Sequence, residues 1–281
     1  MIEFVVQGLA LGALYALIAI PLSLVWLTAH TLDLAIGGYA VMGGMAFATA
    51  SDRSTGLALA LGVGALCGLV SAALFVTLRR LGATDPMAPG LVSVGVLIAL
   101  GSLAQAIFGI DPAFQANFEV PIEIGGVRIN PQVFLNFAAV AVILGLIVVV
   151  LRYTGLGRAM RASAASPADA SLVGIGVSRL QSLVFVLGGM LGALAGALLV
   201  MTSGLSFEFG LGLTLSAIGA VILFGLRGPV TAVLGGLTIG VVEALGSGYA
   251  PAGIGPAVPV LFVFIVLASG VFDFDDRTVR P

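Results

Sequence analysis

"GLGRAMRASAASPADASLVGIGVSRLQ" fills residues 155–181, and it is flanked by the apolar runs 132–151 and 181–203. The stretch carries Arg158, Arg161, Asp169 and Arg179, whereas each flanking run is about as long as one helical crossing of a bilayer, roughly twenty residues. A polar connector between two such runs has to lie at a membrane face. The rest of the chain fits that setting: of its 281 residues 60% are hydrophobic and 9% charged, against about 25% charged in a soluble domain. The apolar runs are continuous and not alternating, which points to helices and not to barrel strands. The 40 glycines, about double ordinary usage, predict close helix–helix contact.

The expected fold is an all-α, polytopic membrane helix bundle of eight or nine spans forming a single transmembrane domain. The spans lie at about 5–28, 34–51, 57–78, 90–109, 132–151, 181–203, 209–226, 230–248 and 257–272. The second and seventh are short and glycine-rich, which predicts broken or re-entrant helices. The opening residues lack a basic leader region and a small-residue cleavage site, so they read as a retained first helix. "LDLAIGGYAVMGGMAF" (32–47) and "FEFGLGLTLSAIGAVIL" (207–223) each begin with an acid close behind a long helix, and each then runs through small residues. The two halves of the chain are therefore expected to be related, a plan common among transporters. Gly188, Gly192 and Gly196 form one ridge of small residues, and Gly236 with Gly240 another; both predict close helix packing.

Arginine sets the orientation, because cytoplasmic loops carry the excess of basic residues. With residues 155–181 inside, Arg79, Arg80, Arg152, Arg158, Arg161, Arg179, Arg227, Arg277 and Arg280 are inside, and Arg53 and Arg128 outside. The C-terminus is then cytoplasmic. The outer face carries the loop 110–131. Its Gly125-Gly126 pair is a hairpin signal, and that register sets Glu123 opposite Arg128. With Asp111 and Glu119, this loop either docks an external partner or caps the helix ends.

Several chemistries are excluded. The sequence has no lysine, so it has no GxxxxGK[ST] phosphate loop. One cysteine, Cys67, and one histidine, His30, allow no disulfide within the chain and no multi-histidine metal site. No HExxH or GxSxG motif occurs, so no catalytic centre, cofactor, metal or nucleic-acid partner is expected. The residues that stand out are polar groups inside apolar segments, which are costly and face a cavity or a partner. Asp33 is either an N-cap for the following helix or part of a translocation path. His30 is either a membrane-interface residue or a ligand or proton carrier on the path. Glu243 either bonds to a neighbouring helix or lines the path. Ser93 and Thr214 are further path candidates.

Within residues 155–181, Ser166-Pro167-Ala168-Asp169 is a helix start, with Ser as N-cap, Pro at N1 and Asp at the capping-box position. The helix runs over 168–173 and stops at Gly174. A second short helix over 157–165 carries Arg158 and Arg161 on one face. The pair lies along the inner face of the membrane, where it binds anionic lipid or fits a groove on a soluble partner.

The stretches 157–175, 30–44, 183–199 and 233–249 together resemble the permease subunits of branched-chain amino acid (LIV-type) ABC transporters, the H-type more than the longer M-type. The likeness runs in order through nearly the whole chain. It implies a bacterial inner-membrane importer for branched-chain amino acids or a related small polar solute. It also implies a second permease subunit, two ATPase subunits that bind ATP and Mg, and a periplasmic substrate-binding protein. In the family the connector 152–180 couples to the ATPase. The coupling residues carried over are Arg158, Arg161, Asp169, Ala170, Ser171, Leu172 and Gly174; the family's leading Glu is absent here. An ion-coupled carrier or channel working without an ATPase is the rival class.

Overall fold

A computed structural model of the chain describes residues 2–81, 87–115, 122–124, 127–249 and 258–268. In chain order the elements are α1 (Ile2–Ala29), α2 (Ile36–Ala48), α3 (Arg53–Arg80), α4 (Met87–Phe108), β1 (Ile122–Ile124) and β2 (Val127–Ile129). They continue with α5 (Gln132–Tyr153), α6 (Gly155–Ala165), α7 (Pro167–Leu172), α8 (Val177–Thr202), α9 (Phe209–Leu223), α10 (Pro229–Tyr249) and α11 (Val258–Ala268).

Six of these helices are long and apolar enough to cross a membrane: Phe4–Ala29, Arg53–Arg80, Ala88–Phe108, Gln132–Tyr153, Val177–Thr202 and Pro229–Tyr249. The expected eight or nine spans are therefore not all found among the described residues. The two glycine-rich segments account for most of the difference. α2 has 13 residues and α9 has 15, so at 1.5 Å per residue each rises only about 20 Å, short of a hydrocarbon core of about 30 Å. Every residue of α2 from Ile36 to Phe47 is buried. Its apolar character serves an interior position within protein and not contact with lipid.

α1 is hydrophobic all round and buried over 89% of its most apolar window, as expected of a central helix. α10 packs along it, and α8 packs along α3. α2 crosses α8, and α9 lies on α10 and touches α2. α4 and α5 form the outside, with Leu91, Ile98, Val142 and Leu146 exposed where lipid tails would lie.

Glycine sets the closest approaches, and the predicted ridges lie at them. A Cβ on Gly240 would strike the Gly12 backbone, one on Gly236 the Ala16 backbone, and one on Gly196 the Ala40 carbonyl. Gly188 is looser, with Pro21 Cβ at 3.6 Å as its nearest neighbour.

The bundle has two distinct ends. At one, the last turns of α1, α3 and α5 meet the starts of α8 and α10, and here Arg79, Arg80, Arg152, Arg158, Arg161, Arg179 and Arg227 gather beside α6 and α7. At the other end Arg53 opens α3, and Arg128 lies in β2. There β1 and β2 pair antiparallel with Glu123 opposite Arg128, the register expected from the sequence. Ala113 and Leu205 form a further antiparallel bridge, N–H to O at 2.8 and 3.0 Å, which ties the loop before the hairpin to the connection between α8 and α9.

Candidate functional site

The polar connector folds as two short helices at right places for a platform on the arginine-rich end. Thr154 starts α6 from an extended backbone, and its Oγ1 accepts the Gly157 N–H at 3.2 Å. α6 then turns back tightly on α5. A Cβ at Gly157 would overlap the Leu151 backbone, and Arg161 donates to the Leu151 carbonyl. Met160 and Ser163 are buried beneath α6, while Arg158 stays exposed.

α7 begins as the sequence predicts. Ser166 is extended and its Oγ accepts the Asp169 N–H at 3.2 Å, with Pro167 at the first position. Its end is a Schellman motif: Gly174 N–H donates to Ser171 O at 3.1 Å and Ile175 N–H to Ala170 O at 3.0 Å. Gly174 has φ +83° with open space around it, so only its backbone angle requires glycine. Ala170 is buried and packs inward. Asp169 and Ser171 are exposed. Leu172 and Val173, at 84% and 76% exposure, form an apolar tip on a polar platform.

The path candidates divide. Asp33, Ser93 and Thr214 come together around the start of α2. Asp33 Oδ1 accepts Ala35 N–H at 3.1 Å and its Oδ2 accepts Tyr39 Oη–H at 2.9 Å. Ser93 Oγ accepts Leu34 N–H at 3.0 Å, and Thr214 Oγ1 accepts Gly37 N–H at 3.1 Å. Irregular backbone at membrane depth needs such partners, and these three side chains supply them. The space beside Asp33 is about 20 Å³, too small for a solute. We expect Asp33→Ala to leave two buried donors unpaired at about 1–3 kcal/mol each, lowering the yield and melting midpoint of detergent-extracted protein. Asp33→Asn retains an acceptor and recovers part of the loss. A normal midpoint with altered transport would instead place Asp33 on the path.

His30 is elsewhere. It ends α1 at φ 52°, exposed, with its ring Nδ1 3.1 Å from Trp26 O, the position of a helix-terminating residue. Glu243 lies on α10 in a separate cavity of about 370 Å³ lined by residues of α1, α8, α9, α10 and α11. Of the loop residues, Asp111 is exposed, Glu123 and Arg128 are paired positions of the hairpin, and Glu119 lies outside the described residues.

The profile of one protein family, described as "Branched-chain amino acid transport system / permease component", matches residues 4–269. The chain belongs to this permease family. It is 35% identical over 125 residues to the high-affinity branched-chain amino acid transport system permease protein LivH of Salmonella typhimurium, a match covering 43% of this chain and 41% of the relative. That aligned stretch is less than half of the relative's length. A probable LivH of Methanocaldococcus jannaschii is 27% identical over 243 residues, covering 83% of this chain and 76% of the relative. The fructose import permease protein FrcC of Rhizobium meliloti is 30% identical over 247 residues, covering 82% and 66%. Among solved structures, PsaBC from Streptococcus pneumoniae in complex with Fab shares the fold at a TM-score of 0.52 and 18% identity, over 98% of this chain and 92% of that one.

Some parts of the permease are not evident from its sequence. At the arginine-rich end Gln181 Nε2–H donates to Thr28 O at 2.9 Å, and Arg79 Nη1–H donates to Gln181 Oε1 at 3.2 Å. Arg79 also lies over the Phe75 ring at 4.8 Å. This junction links the last turns of α1 and α3 to the first turns of α8. A polar residue just inside an apolar run is the one signal that marks Gln181. Tyr15, which faces Glu243, is similarly silent in the sequence.

Proposed function

We propose that this chain is the permease subunit of an ABC importer in a bacterial inner membrane, carrying branched-chain amino acids or a related small polar solute. The observation that carries this reading is the α6–α7 platform: a rigidly capped pair of helices with an apolar tip, on the end where the arginines gather. Positive residues mark the cytoplasmic side, so the platform faces the cytoplasm, the hairpin faces outward and the C-terminus is inside. A tip made of Leu172 and Val173 suits a groove on a soluble protein better than a lipid headgroup layer. The permease has no lysine for a phosphate loop, so ATP and Mg belong on two partner ATPases. A second permease subunit and a substrate-binding protein at the hairpin face complete the assembly.

The halves are related in this reading. Each has a long helix, a short helix and a second long helix: α1, α2, α3 and α8, α9, α10. The first long helix of each half packs on the second long helix of the other, and the short helices meet where Gly37 lies against the Gly210 carbonyl. Two such halves rocking against one another give a bundle with two states, and the junction of Arg79, Gln181 and Thr28 joins the platform end to both.

The test is uptake into proteoliposomes holding the permease with and without its ATPase subunits and binding protein. ATP-dependent uptake only in the full assembly supports the reading. Uptake by the permease alone, driven by an ion gradient or by none, makes it a carrier or channel.

A further inference from the structure

A cavity of about 270 Å³ lies at the arginine-rich end, where the last turns of α1 and α5 meet α6 and the connection from α9 to α10. Leu24, Leu27, Leu151 and Met160 give it an apolar wall, and Arg161 and Arg227 line it as well. None of its lining residues is acidic, so nothing within the cavity answers the two positive charges.

Both arginines are held in place. Arg161 donates to the Leu151 carbonyl, which leaves other N–H groups of its five-donor fork for a ligand. Arg227 sits in a tight connection in which Leu226 takes φ 43°. Left-handed backbone is unfavourable for a side chain of that size, and such strain gathers where it sets a group for binding. Two guanidinium forks match the oxygens of a phosphate. Inorganic phosphate has no use for four apolar side chains, and a neutral apolar molecule has none for two arginines. A phospholipid meets both surfaces. The surroundings fit it too. Val149 and Tyr153 on α5 and Val230 on α10, close in the chain to Leu151 and Arg227, are exposed where lipid tails would lie. A net negative headgroup gains further from each arginine near the membrane surface.

We propose that this cavity binds one anionic phospholipid, with Arg161 and Arg227 on its phosphate and the start of an acyl chain along Leu24, Leu27 and Leu151. The bound lipid then ties α6 of the platform to α1, α5 and the α9–α10 connection. The proposal does not depend on the importer reading. The test is native mass spectrometry of the full chain in detergent, titrated with phosphatidylglycerol or with phosphatidylcholine. We expect one phosphatidylglycerol to bind at least roughly fivefold more tightly than phosphatidylcholine, the effect of a charge near one arginine. Inorganic phosphate at equal concentration should not displace it. Arg227→Gln should weaken phosphatidylglycerol binding at least roughly tenfold, the loss of a hydrogen bond to a charged group. Arg80→Gln removes the same charge at the same end but outside the cavity, and should leave binding unchanged. Equal binding of the two lipids overturns the proposal, as does undiminished binding by Arg227→Gln or an equal loss in Arg80→Gln. Displacement by inorganic phosphate makes the cavity a plain anion site and overturns it as well. Should Arg227→Gln fail to fold, the two lipids and the phosphate competitor on the wild-type chain still decide.

Discussion

Leu172→Asp is expected to give a permease that inserts and melts like the wild type but takes up solute at least about thirtyfold more slowly in the ATP-driven assay. The side chain is 84% exposed, and substitutions at such positions change stability by roughly 0.5 kcal/mol or less. In the proposed assembly the same side chain, projecting from the end of α7, is the apolar anchor. Anchors of this kind are worth about 2 kcal/mol or more at an interface, and a carboxylate in an apolar groove adds its own desolvation cost. Leu172→Ala removes contact without adding charge and is expected to lose less. A melting midpoint in nanodiscs separates folding from docking. Full uptake by Leu172→Asp means that the tip does not dock.

Gly240→Leu is expected to abolish the folded permease. A first side-chain atom at Gly240 already falls on the Gly12 backbone, so α1 and α10, the central pair of the bundle, are driven apart. Overpacking within a core costs about 1–3 kcal/mol when side chains give way; here the obstacle is backbone, and the cost is greater. Gly188→Ala on α8 is the contrast. Its nearest neighbour is Pro21 Cβ at 3.6 Å, ordinary van der Waals contact, so it should leave the yield and elution profile in detergent unchanged. Loss of folded protein in Gly188→Ala, or a normal profile for Gly240→Leu, contradicts this account of packing.

The features legible in the sequence are those set by short-range chemistry. The start of α7 follows from Ser166, Pro167 and Asp169, and its end from Gly174, because caps are decided within a few residues. The register of Glu123 and Arg128 follows from the length of the turn between them. The span count was harder to read. An apolar run reads alike whether lipid or protein surrounds it, so the sequence marks α2 and α9 as broken or re-entrant only by their shortness and glycine; α2 is buried throughout, while α9 leaves Phe209, Leu211 and Leu215 exposed. The polar residues show the same limit. Asp33 reads in the sequence as an N-cap or a path residue. α2 instead takes Ala35 as its N-cap with no side-chain cap. Asp33 accepts from Ala35 N–H and from the Tyr39 hydroxyl six residues away, while Ser93 and Thr214 on other helices accept from the neighbouring backbone. Gln181 meets Thr28 and Arg79 only because three distant helices end together. Ala170 matched a family pattern, yet its side chain turns inward and supports the platform from within.

The central claim is that α7 seats on an ATPase, and site-directed crosslinking from Val173 tests it most directly. A photoreactive amino acid placed at Val173 in the assembled importer, irradiated in membranes, is predicted to give an adduct with the ATPase subunit. The same group at Leu146 on the outward face of α5 should give none. Adducts from Val173 with lipid alone, or equal ATPase adducts from both positions, would contradict the account.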